Sequence, residues 1–257
     1  MTLLYNPNNE TPYTRTQLGE LATPEALGRY HRPVAFGDFA DLVSNRLVQH
    51  GFQITSEEYA VSHDDNRLFG LMQIEPEPGA LEGEYISADD WRLQVGLRGS
   101  HDQSIPRGIT LGSRVLVCSN LCFHGDLGVF KTRQTTNVWN RLPAMVDEAA
   151  ARLPVAVARH AKRFDGYRTT ALRPRHGDAA LVELHRRNAL TSGQLSRAIS
   201  EWDSPSHEEH KEDGHTVWRL FNAATEALKP SGTRINHDTL RQRSEAVSGF
   251  LDEVVGL

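Results

Sequence analysis

Three side chains that together make a hydrolytic triad, Ser100, His101 and Asp102, stand next to one another in the segment GSHDQS. Adjacency works against the chemistry. Neighbouring residues on extended backbone point to opposite faces, so the three cannot serve one another as nucleophile, base and orienting acid. The chain has no G-x-S-x-G elbow to present a serine either. The expected role is structural, with His101 or Asp102 bonded to backbone of the loop entering the next strand. A hydrolase using His101 and Asp102 stands as the second alternative. Cys118, Cys122 and His124, with His101 upstream, are metal-ligating types. On an extended chain the two cysteines lie roughly 13 Å apart, too far to share a zinc ion. Reduced thiols are expected there, at least one packed as a small apolar group. His207, His210 and His215 sit in the acidic stretch DSPSHEEHKEDG, where weak metal pickup would be incidental. No Walker loop, G-x-G-x-x-G after a strand, or H-E-x-x-H is present, so nucleotide, dinucleotide and zincin readings have no motif. No metal and no cofactor are expected.

The charges are more informative. The total of -5 conceals a division: residues 1–90 carry net -10, residues 91–187 net +9 and residues 188–257 net -4. A basic middle between acidic flanks points to an anionic partner. The side chains placed to meet one are Arg92, Arg98, Arg114, Lys131, Arg133, Arg159, Lys162 and Arg163. Lys162 and Arg163 are expected on one exposed helix face. Aromatics are sparse at 7%, which counts against a large base-stacking platform.

The elements that must hold these residues show in the periodicity. Trp91, Leu93, Val95 and Leu97 alternate with Arg92, Gln94, Gly96 and Arg98, which predicts a strand with the aliphatics on a core and both arginines on the other face. A further strand is expected over about 109–118. A helix opens near Asp38 and stops at Gly51, followed by strands over 52–61 and 67–74 with Asp64-Asp65-Asn66 as the turn. From Val138 the pattern turns helical, with Pro154 expected to kink or restart it. Helices are also expected over 178–189, 192–202, 215–228 and 238–255, and the linker 203–214 is expected to be mobile. The reading is α+β: an antiparallel sheet of about four strands with a long helix packed on it, then a helical C-terminal part. The divisions are an extended arm at 1–35, an α+β core at 36–175 and a helical region at 176–257.

A chain of 257 residues with 39% hydrophobic residues can bury a sizeable core without disulfides, and two cysteines do not suggest a secreted scaffold. No apolar run reaches the roughly 18 residues of a membrane span, and no basic-then-apolar leader follows Met1, so a cytoplasmic protein with no membrane partner is expected.

The stretch LRGSHDQSIPRGITLGSRVLVCSNLCFHG, with Leu97, Ser100, His101, Asp102, Ser104, Arg114, Val117, Cys118 and Asn120 at the matching positions, resembles the core of the phage- and plasmid-borne family called domain of unknown function 932. Asn137-Val138 and the Trp-led segment HTVWRLFNAATEALK are further matches. Ser100, His101, Asp102, Cys118 and Asn120 are thus family-motif residues of unknown role. Three positions depart: Gly99 stands for an Asn, Gln103 for a Gly, and Gln134 for a His common just before the long helix. The resemblance implies a mobile-element origin and no defined activity. The element order is also distantly similar to the core of single-strand annealing proteins, which are oligomeric and hold DNA in a basic groove. The function expected is therefore a phage or plasmid DNA-metabolism protein that binds single-stranded DNA as a homo-oligomer, acting in annealing or recombination. The alternative is a mobile-element factor that binds a host or phage protein of defence or replication.

Overall fold

The strict alternation around Val95 produces a strand, β3 (Trp91–Ser100), whose Leu93, Val95 and Leu97 are all 0% exposed while Arg92 and Arg98 are half-buried on the other face. A computed structural model describes residues 12–61, 64–79, 91–115, 124–211, 214–229 and 237–257. Its sheet is a five-stranded meander in the order β1 (Phe52–Val61), β2 (Arg67–Pro76), β3, β4 (Arg107–Val115) and β5 (His124–Thr132). β2 pairs antiparallel with β1 and with β3, setting Ile74 opposite Leu93 and Met72 opposite Val95 so that one face collects the apolar side chains.

The fifth strand is additional to the four read from the sequence. In HGDLGVFKT two glycines and an aspartate interrupt the alternation, and only Phe130 is a large buried side chain among those described. The arm expected at 1–35 also contains structure. Thr14 and Gln17 form a reciprocal capping box that starts the six-residue helix α1 (Arg15–Glu20), with Leu18 buried.

The chain clusters into two compact units. The first holds α1, α2 (Phe36–Gln49), most of the sheet and the start of α3 (Val138–Thr169) as far as Ala156. Within it, Phe36, Phe39, Val43 and Leu47 of α2 are buried at helical spacing. His50 and Arg46 of α2 reach Asp147 of α3 at 3.2 and 3.4 Å. Arg152 of α3 lies 5.2 Å from the Phe130 ring, so α3 covers the same face of the sheet.

The second unit takes α3 from Val157, with α4 (Pro174–Arg186), α5 (Ser192–Asp203), α6 (Glu208–Lys211), α7 (Val217–Leu228) and α8 (His237–Val255). Val217, Leu220, Phe221, Ala224 and Leu228 of α7 are all buried, as are Val247 and Leu251 of α8. Pro143 and Pro154 lie inside α3, which runs on through both, and the division between units falls two residues past Pro154. The segment expected to be a mobile linker instead carries α6 and buries His210. His207 joins Glu226 at 3.2 Å, which ties that segment to α7.

Candidate functional site

The Ser-His-Asp turn is built from its own hydrogen bonds. Ser100 N–H donates to the Ile105 carbonyl, and Ser100 Oγ accepts from Ile105 N–H at 2.8 Å. The Asp102 carboxylate accepts from Ser104 N–H at 2.9 Å and Ser104 Oγ–H at 2.6 Å. Hydrogen bonds from Ser100 and then Ser104 hold the Asp102 carboxyl well below the usual carboxylate range. Asn66, in the turn after β1, ties the loop down by accepting His101 N–H on its carbonyl and Asp102 N–H on its side chain. The His101 ring leaves this net altogether. It stacks on Phe36 at 4.1 Å, with Nδ1 3.3 Å from Arg107 Nη2. Asp102 therefore orients Ser104 rather than His101, and the three candidates form a turn instead of a triad.

Beneath the turn is a residue that sequence reasoning passed over. Arg107 shares a strand face with Ile109 and Leu111, and all three are at most 1% exposed. Its Nη2 donates to the Val34 carbonyl, while Nε and Nη1 have no hydrogen-bond partner. The guanidinium lies over Phe36 at 4.6 Å. A Cβ at position 99 would sit 2.5 Å from Nη1, so glycine there leaves the room the guanidinium takes up. Buried His31 adds another unpartnered nitrogen, Nε2. No ion pair to Arg107 occurs among the described residues. Burial pulls Arg107 down to about 9, still a cation at neutral pH. Burial first, then the charge of Arg107, lowers His101 to about 4 and also depresses His31. The cluster thus holds one cation and two neutral imidazoles. Gln134 closes it, donating to the Ser100 carbonyl at 2.6 Å and accepting Val34 N–H at 2.9 Å. An arginine in phase with buried aliphatics was the signal available in the sequence.

The eight basic candidates separate by environment. Arg92 reaches Glu75 at 3.4 Å. Arg98 is half-buried, and its Cγ and the Lys131 Cβ lie 3.8 and 3.5 Å from where a Cβ on Gly108 would be. Arg98 of β3 and Lys131 of β5 thus flank Gly108 of β4 on the sheet face opposite the one α2 and α3 cover. Lys131 and Arg133 are exposed, as are Arg159 and Lys162 on α3. Arg163 corrects the expected exposed pair. It is 6% exposed and donates from Nε and Nη2 to the two Asp252 oxygens of α8, each at 2.8 Å. Residues 160, 163, 164 and 167 share the helix face that packs into the core, which places the arginine inward. The strand holds Arg114, whose side chain is outside the described part, and Cys118, Asn120 and Cys122 lie outside the described residues.

Fold and site together define an α+β protein with a meander sheet, helices over one face and cations on the other. The chain matches the family described as Domain of unknown function (DUF932) over residues 28–248, and it belongs to that family. No curated protein and no solved structure matches it. Among the described residues no helix is long and apolar enough to cross a membrane.

Proposed function

We propose that this protein binds single-stranded nucleic acid, as an oligomeric annealing or recombination factor serving phage or plasmid DNA. The observation that carries the reading is the exposed pair Lys131 and Arg133 at the end of β5, with half-buried Arg98 beside Lys131. These cations can meet a phosphate backbone, and the charge of the 91–187 segment supplies the attraction. Exposed Arg159 and Lys162 form a second cationic stretch on α3. Arg163 is buried against Asp252 and stays out of the proposal. Assembly into a ring or filament would turn the acidic flanks away from the bound strand.

The test is fluorescence anisotropy of a labelled oligonucleotide across a salt series, with the particle mass measured alongside. If about four phosphates are neutralised, log K falls against log salt with a slope near -3. Lys131→Glu should weaken binding and flatten that slope by roughly one contact, at unchanged melting temperature. A folded protein that binds no oligonucleotide at low salt would overturn the proposal.

A further inference from the structure

Residues 26–37 and 127–146 contain no Asp or Glu, although they are about a hundred positions apart. The fold lays them side by side. His31 and Thr135 form an antiparallel bridge, and Arg32 N–H donates to the Gln134 carbonyl at 3.0 Å. Around this bridge Arg29, Arg32, Arg133 and Arg141 are exposed, and none forms an ion pair among the described residues. The first turn of α3, which follows directly, holds no acidic residue to oppose them.

Two exposed aromatic rings belong to the same two segments. Tyr30 is 67% exposed and Trp139 47%, whereas Trp202 and Trp218 are at 0% and 3%. The Arg29 guanidinium already lies 5.6 Å from the centre of the Tyr30 ring, the approach such a ring face offers to a flat cation. Single exposed rings on a surface need no explanation. Two of them among four uncompensated guanidinium groups, on a protein of net charge -5, present a particular chemistry. Planar ring faces take unpaired bases, and planar forks take phosphates. An acidic peptide would use the forks and leave the ring faces idle.

We infer that the strip these two segments form is where unpaired bases of a single-stranded nucleic acid stack, on Tyr30 and Trp139, while Arg29, Arg32, Arg133 and Arg141 hold the intervening phosphates. This rests on the nucleic-acid reading above and deepens it by naming the platform. Duplex is a poor ligand for it, because paired bases keep their faces covered.

The experiment compares four labelled ligands on the full chain: a dT oligomer, an rU oligomer of the same length, an abasic oligomer and a duplex. The dT oligomer should bind at least about tenfold tighter than the abasic one and the duplex, the scale of a lost base stack. The rU oligomer should bind within a few-fold of dT, because stacking uses the base face and every base has one. Tyr30→Ala and Trp139→Ala should each cost roughly tenfold for dT and little for the abasic ligand, with a small loss of melting temperature in Trp139→Ala, whose ring is about half covered. The double variant should erase the preference for dT. Salt-sensitive binding with dT and abasic oligomers equal in the native protein would overturn the stacking strip and leave the broader reading intact. Absence of binding to every oligomer at low salt would overturn both. Tighter binding of polyglutamate than of dT, unchanged in Tyr30→Ala, would assign the strip's arginines to an acidic protein partner instead.

Discussion

Both units bury arginines: Arg219 on α7 donates to the Trp202 and Asp203 carbonyls, while Arg163 and Arg107 are stabilised in opposite ways. Arg163, in the helical unit, meets Asp252 with two hydrogen bonds at 2.8 Å, and Tyr167 Oη–H donates to the same carboxylate at 2.8 Å. Arg107, in the sheet unit, has carbonyl, imidazole and aromatic neighbours and no carboxylate among the described residues. The difference follows from the elements. Long helices packed together bring side chains from residues 163 and 252 into register over several atoms, so a bidentate pair is easily built. A strand offers each inward residue one position, and beside Arg107 the neighbouring position is glycine. The first arrangement costs desolvation and recovers it from the pair; the second leaves the cost standing in the native state.

The largest expected effect separates the two directly. Asp252→Ala removes the bidentate acceptor of Arg163 together with the acceptor of Tyr167 Oη–H and should lower the unfolding free energy by about 3–5 kcal/mol in urea titrations. Arg107→Met removes an uncompensated cation while keeping a chain of similar length over Phe36, so its stability should stay within about 1 kcal/mol of the native protein or rise above it. Equal losses in the two variants would break the comparison, because they would mean that Arg107 too has a counter-charge in the folded protein.

Acid should act on the sheet unit through the same cluster. His101 is lowered to about 4 in the folded state against an ordinary 6.5, chiefly by burial and then by Arg107. The unfolded chain therefore takes up the proton first. The stabilisation is complete above pH 6.5 and is lost as pH falls toward 4, by up to ~3 kcal/mol for His101. The depressed Asp102 carboxyl adds its own loss below its ordinary value of 3.8. Denaturant midpoints measured between pH 7.5 and 4 should show the decline, and His101→Phe, which keeps a flat ring against Phe36, should flatten it between 6.5 and 4. An unchanged slope in that variant would place the proton uptake elsewhere.

Much of the frame was legible because its periods are clean. The alternation around Val95 gave β3 and its buried face, and the 52–61 strand has the bounds expected of it. The stripe through Val217 and Phe221 is buried as its spacing demands. Interrupted periods were not legible. β5 has glycines at 125 and 128, and α1 is too short to show a stripe. For the sites, charge sign was read without burial. Charge alone groups Arg163 with Lys162, though one helical position turns it from solvent to core, and nothing local to the loop before β4 marks Arg107 as buried. Arg29, Tyr30 and Arg32 gain their meaning only from the bridge to Thr135, a pairing across about a hundred residues that no local pattern announces.

The smallest expected effect tests the turn that roofs the Arg107 cluster. Gln103 has φ +63°, in the left-handed region. A side chain with a Cβ pays ~1–2 kcal/mol there, while glycine loses ~0.5–1 kcal/mol more backbone entropy on folding. The glutamine is exposed and makes no side-chain bond among those described, so nothing else is lost on removing it. Gln103→Gly should thus gain about 0.5–1 kcal/mol, or ~2–3 °C in melting temperature for a chain of this size. Gln103→Ala keeps the Cβ and should gain nothing, which separates relief of backbone strain from loss of the side chain. If alanine matched glycine, the left-handed residue would carry no strain. A gain confined to glycine means that Ser100 and His101 are held over Arg107 by a turn working against its own backbone preference, a second local cost beside the buried cation that Arg163, paired with Asp252, does not carry.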